Sequence, residues 1–157
     1  MATWTEVAQE AAELVALVEG VFAARRMKTL ATLRRDGSPR LSEISGAAVR
    51  HGELWLGLIP SLKVGDLDRD PRCSVHCGSP TDAWAASVRV SGRAVRAMQG
   101  DAERLGLARS DEEERLPLFR LDVSEVVVTR PDPESELILV EWWNSQRGTG
   151  TAKRKGG

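Results

Sequence analysis

Short apolar runs alternating with polar positions dominate this chain, and only its first part carries a long helical pattern. From Thr3 to Ala24, the apolar residues Val7, Ala11, Leu14, Val15, Val18, Val21 and Phe22 recur at helical spacing. Glu6, Glu10 and Glu13 fall on the other side, so the pattern predicts an amphipathic helix. Thr3 followed by Glu6 makes a capping box, and Arg25 and Arg26 suit the negative end of the helix dipole.

From Lys28 onward the apolar runs shorten to strand length. Asp36-Gly37 between two such runs predicts a two-residue hairpin, because both residues tolerate positive φ. The next strand runs from Arg40 to about Val49, with Pro39 at its start and Gly46 as a bulge or barrel corner. His51-Gly52 turns the chain into a strand over Glu53 to Leu58. Pro60-Ser61 stops that strand, Ser61 caps a short helix through about Arg69, and Asp70-Pro71 ends it. Further strands are predicted over Cys73 to Cys77, Ala86 to Val95, Leu118 to Thr129 and Leu137 to Trp142. Ser79 to Asp82 reads as a loop, and Gly100 to about Arg115 as an acidic helix. Val126-Val127-Val128 is strongly β-favouring. Clustered short strands with tight turns predict a mainly β fold with helices, an antiparallel barrel with the N-terminal helix lying on it or plugging one end. Residues 1–143 are expected to form one domain, and 144–157 a polar, basic, disordered tail.

Length and composition change this picture little. A chain of 157 residues suffices for one domain with a real core. The net charge of −1 implies no bulk attraction to nucleic acid or membrane. Charge is nevertheless uneven: residues 25–72 carry ten Lys/Arg against six Asp/Glu, and residues 101–141 carry twelve Asp/Glu against five Arg. Arg25-Arg26-x-Lys28 and the basic tail lack interleaved aromatics, so they read as solvated clusters. No apolar run approaches the roughly 18–20 residues of a membrane span. The N-terminus has no signal-peptide pattern, and two cysteines do not make a disulfide scaffold, so the expected location is cytoplasmic.

The candidate chemistry lies at Ser61-Leu62-Lys63, where a strand hands over to a helix. That turn offers backbone N–H groups, a hydroxyl and a cation together, which is what a phosphate needs. Arg40 on the neighbouring strand adds a second cation. Read from spacing alone, the same residues are also an N-cap serine and a surface lysine. Cys73 and Cys77 share a strand face but lie about 13 Å apart, at roughly 3.3 Å per residue, so no metal site or disulfide is expected between them. Two histidines in unrelated contexts give no catalytic triad, and neither a Walker loop nor a dinucleotide fingerprint occurs. No side chain is assigned as catalytic.

Several segments together resemble the pyridoxamine 5′-phosphate oxidase-like split-barrel family, in its actinobacterial type. They are Leu30-Ala31-Thr32-Leu33-x-x-Asp36-Gly37-x-Pro39, Gly52-Glu53-Leu54-x-Leu56, and Ser61-x-Lys63-x-x-Asp66-Leu67-x-x-Asp70-Pro71-Arg72. Val90-Ser91-Gly92-Arg93-Ala94-Val95 matches the family's Gly-x-Ala step. The resemblance spans residues 27–143 and implies a split β-barrel, a homodimer, and flavin mononucleotide (FMN) or the deazaflavin F420 in grooves at the subunit interface. It implies that Arg40, Leu41 and Ser42 lie along the cofactor, that the turn from Ile59 and Pro60 through Ser61 to Lys63 grips its ribityl and phosphate groups, and that Trp142 and Trp143 close the groove. Trp84 is a further candidate for stacking on the ring. The implied activity is oxidoreduction of a small organic substrate by hydride transfer. A dimeric barrel that holds flavin or haem without turnover is the alternative; some split barrels bind haem, and His51 is the candidate ligand. The chain departs from true pyridoxamine phosphate oxidases in having Leu62 between Ser61 and Lys63, Glu43 beside the groove, and no C-terminal Arg-x-His segment, so vitamin B6 oxidation is not implied.

Overall fold

The computed structural model describes residues 1–78, 86–98, 100–106 and 116–156. The expected loop at Ser79 to Asp82, Trp84, and the acidic run Asp111 to Glu114 lie outside the described residues. Helices α1 (Trp4–Glu10) and α2 (Ala12–Ala24) lead into strands β1 (Lys28–Leu33), β2 (Pro39–Ile44), β3 (Gly46–Arg50) and β4 (Glu53–Gly57). Helix α3 (Leu62–Arg69) follows, then β5 (Arg72–Gly78), β6 (Ser87–Arg96), the short α4 (Asp101–Arg104), β7 (Leu118–Pro131), β8 (Ile138–Asn144) and β9 (Gly148–Arg154).

The strands form one antiparallel sheet in the order β2-β1-β5-β6-β7-β4-β3, with β8 on β7 and β9 on β8. The two ends of that path, β2 and β3, are consecutive in the chain and separated only by Ser45, so the sheet curls back on itself into a barrel. The single strand expected over Arg40 to Val49 is therefore two, one pairing with β1 and the other with β4. Gly46 sits at this corner, where an added Cβ would lie 2.0 Å from the Gly57 carbonyl oxygen. Only glycine permits that approach.

Alternation along the strands explains the core. Leu30, Val75, Val88, Val90, Leu121, Val123, Val126 and Val128 point inward and are fully buried. The N-terminal segment plugs this interior, with Trp4, Val7, Leu14, Val15, Val18 and Phe22 in the same cluster. The capping box of Thr3 and Glu6 forms as expected. One continuous helix does not: Ala11, at φ −144° and ψ 54°, breaks it. α1 packs on β4 and β7, while α2 also reaches β3, β5, β6 and β8. A straight rod at about 1.5 Å per residue would not follow that curved surface.

The two-residue hairpin expected at Asp36-Gly37 is corrected, whereas His51-Gly52 turns the chain as expected. Between β1 and β2, Gly37 alone has positive φ (82°), and its N–H donates to the Arg34 carbonyl while Arg34 N–H donates to Ser38. This is a three-residue loop with a glycine bulge, held by Asp36, which accepts from the Ser38 N–H and hydroxyl. The two-residue turn is His51-Gly52, where both residues have positive φ. The C-terminal stretch is also corrected: Gly148 to Arg154 is paired in register with β8. Lys153 anchors it by donating to the buried Asp132 carboxylate at 2.8 Å.

Candidate functional site

Strand β2 presents two faces. Arg40 and Ser42 lie opposite Thr32 and Leu30 of β1 and share the inward side with buried Ile44. Leu41 and Glu43 point the other way and are exposed. The Glu43 carboxylate is thus directed away from Arg40. The residues expected to line one cofactor therefore divide between two sides of the strand.

At the inward side, Arg40 is held by α3. Its Nε donates to Asp66 Oδ2 at 2.6 Å, and the Thr32 hydroxyl donates to the same oxygen at 2.9 Å. Arg69 donates to Asp66 Oδ1 at 3.2 Å and also to the Leu33 carbonyl. Burial alone would push the Asp66 carboxyl up, but the hydrogen bonds from Arg40, Thr32 and Arg69 outweigh it and hold the carboxyl below its usual value. Thr32 was legible as a polar residue on the core-facing side of an apolar strand. Asp66 belonged to the segments that carried the resemblance, yet nothing in its spacing disclosed the partners.

At the start of α3, Ser61 occupies the N-cap position without capping through its side chain. Its hydroxyl instead donates to the Ile59 carbonyl at 2.8 Å and accepts from Lys63 Nζ at 3.0 Å. The turn thus brings the Ser61 hydroxyl, the Lys63 ammonium and the positive end of α3 together. Around it Ile59, Pro60, Ser61 and Leu62 are all exposed. Ile59 and Leu62, like Leu41, keep 71% of their surface in solvent. Donors of this kind fit a phosphate group. Arg40 is bonded to Asp66, one helical turn beyond Lys63.

Leu41 lines a groove of about 590 Å³ on the outer face, with Thr29, Ala31, Ser74, His76, Arg89, Ser91 and Glu125. Strand register sets His76 beside both Thr29 and Arg89. Arg89 pairs with Glu125 at 2.6 Å, and the Ser74 and Ser91 hydroxyls lie 2.8 Å apart. None of these groove residues except Leu41 was singled out for cofactor contact by sequence.

The two C-terminal tryptophans also separate. Trp143 is 1% exposed, and its Nε1–H donates to Glu10 at 2.7 Å, tying β8 to the end of α1. It is a core residue and cannot close a surface groove. Trp142 is half-buried, lies over Gly150 of β9, and lines a concavity of about 390 Å³ with Glu10, Leu14 and Glu141. Cys73 and Cys77 are free and buried, and burial pushes the Cys73 thiol up to about 12.

No protein-family model and no curated protein matches the chain. Solved structures do. PhzG from Burkholderia lata, solved in complex with tetrahydrophenazine-1-carboxylic acid, aligns over 90% of this chain and 88% of its own, at TM-score 0.67 and 14% identity. A FAD-binding protein from Mesorhizobium loti aligns over 72% of this chain and 92% of its own, at TM-score 0.55 and 22% identity. A heme binding protein from Mycobacterium smegmatis aligns over 98% of this chain and 59% of its own, at TM-score 0.56 and 19% identity. The fold is the split barrel of these proteins. No helix among the described residues is long and apolar enough to cross a membrane.

Proposed function

We propose that this protein is a flavin- or deazaflavin-dependent oxidoreductase that takes FMN or F420 by its phosphate and works as a homodimer. The observation that carries this reading is the Lys63–Ser61 pair at the start of α3, a cation and a hydroxyl at a helix end that the serine side chain does not cap. Arg40 supports the grip from β2, with Ser42 and Leu41 along the same strand and Ile59 and Pro60 completing the turn. The exposed Ile59 and Leu62 at the grip, and Leu41 on the other side of β2, are apolar surface of the kind a second subunit covers. The bound cofactor would supply the hydride chemistry, while the chain's own residues bind, orient and shield it. The substrate would be a small organic molecule, and the half-buried Trp142 is the C-terminal aromatic left to meet it.

The grip is modest in charge. Leu62 is neutral and Arg40 shares its charge with Asp66, so the cofactor is expected to exchange rather than stay bound. Likeness over 98% of the chain to a heme binding protein supports a second reading, in which the barrel holds haem or flavin without turnover. Titration of FMN, reduced F420 and haem into the purified protein, followed by visible absorption and fluorescence, separates these readings. The protein should purify largely colourless and bind FMN or F420 reversibly. Stoichiometric flavin surviving gel filtration would refute exchange. Failure to bind either at millimolar concentration would remove the oxidoreductase.

A further inference from the structure

We propose that Asp66 is the positioning residue of the phosphate grip, fixing Arg40 so that its guanidinium serves the turn at the start of α3. This inference rests on the phosphate reading of Ser61 and Lys63. The Asp66 side chain is 5% exposed, and a charge so buried persists only when its partners compensate it. Its donors come from three elements: Thr32 on β1, Arg40 on β2 and Arg69 on α3 itself. One carboxylate therefore sets where the helix end stands relative to both strands.

The division of its oxygens matters. Oδ1 takes Arg69, while Oδ2 takes both the Thr32 hydroxyl and Arg40 Nε. A bond through Nε fixes the arginine stem and does not engage the terminal nitrogens, which are the ones suited to a phosphate. β2 ends the path of the sheet and pairs only with β1, so Arg40 has a neighbouring strand on one side and none on the other. Asp66 restricts its side chain. It also lies three residues after Lys63, on the adjacent turn of α3.

Two effects of Asp66 on a bound phosphate have opposite sign. Its negative charge weakens the local positive field, whereas its hold on Arg40 strengthens the grip. Asp66→Asn removes the charge, so a field effect alone would tighten binding of FMN. Positioning predicts the reverse: FMN affinity falls about tenfold, as expected for losing a charge-assisted contact, and riboflavin, which lacks the phosphate, changes less than about twofold.

The test is a double-mutant cycle read by FMN and riboflavin titration of the full chain. Asp66→Asn should cost about tenfold in FMN affinity in the wild-type background and nothing further once Arg40→Ala is present. Thr32→Val keeps both charges and removes only the second donor to Oδ2, so it covers the case in which Asp66→Asn does not fold. It should weaken FMN about threefold and leave riboflavin unchanged. Unchanged or tighter FMN binding by Asp66→Asn would overturn the inference. So would an equal loss with and without Arg40, or Thr32→Val matching wild type. A wild-type protein that binds neither FMN nor F420 is a different outcome, since it removes the phosphate reading itself and this inference with it.

Discussion

Truncating Lys63 to alanine isolates the charge at the start of α3. Lys63 Nζ lies 3.0 Å from the Ser61 hydroxyl, and that hydroxyl already donates to the Ile59 carbonyl. With no phosphate bound the serine proton goes to that carbonyl, so the ammonium is the charged donor of the turn. A charge-assisted hydrogen bond contributes about 1.5–3 kcal/mol net. Exposure around the turn lowers the lower bound, so Lys63→Ala should weaken FMN by about 1–3 kcal/mol, or roughly 5- to 150-fold in dissociation constant. Arg40 does not replace it, because its bond to Asp66 at 2.6 Å fixes where the guanidinium stands and keeps it from moving to the place of the lost ammonium. Loss of flavin fluorescence on titration gives the constants for FMN and riboflavin side by side. Riboflavin should change by less than about twofold, since it has no phosphate to lose. Equal weakening of both ligands would refute the assignment and make Lys63 a residue of general surface or fold.

Three further outcomes follow from the packing and the charges. Gly92→Ala would set a Cβ 2.1 Å from the Asp122 carbonyl oxygen at the β6–β7 bulge, so urea unfolding should report a loss of about 1–3 kcal/mol; an unchanged midpoint would contradict the bulge. Trp143→Phe removes the buried indole's N–H bond to the exposed Glu10 and should cost about 1–3 kcal/mol by the same assay, whereas no loss would deny that this bond holds β8 to α1. The Asp66 carboxyl titrates lower in the folded state than in the unfolded chain, so its contribution is complete above the unfolded value of about 3.9 and is lost as pH falls through the lower folded value. Acid unfolding of Asp66→Asn should therefore be less steep below about pH 4 than that of wild type, and parallel curves would contradict the ion-pair assignment.

The sequence disclosed the barrel because its evidence is local. Alternation in Val88, Val90 and Ala94, the turn residues His51-Gly52 and the capping box of Thr3 and Glu6 are set by neighbours in the chain. The break at Ala11 was not legible, since it answers to the strands that α1 and α2 each cover. Gly46 marked a bulge or corner in the next strand, but not that the strand there changes partners from β1 to β4. The C-terminal strand was hidden by a polar, Gly-rich composition that suits an edge as well as a disordered tail. At the site, Ser61 and Lys63 could be read from spacing. The bond from Arg40 to Asp66 could not, because 26 residues separate the partners. The different fates of Trp142 and Trp143 follow from strand parity, which turns one indole into the core and leaves the other half-buried on β8.

A crystal structure of the protein with FMN or F420 tests the central claim most directly. The account predicts the cofactor phosphate within hydrogen-bonding reach of Lys63 Nζ, the Ser61 hydroxyl and the first N–H groups of α3. Arg40 should still be bound to Asp66 through Nε. A phosphate seated elsewhere, for instance against Arg89 and His76 on the outer face, with Lys63 left in solvent, would contradict it.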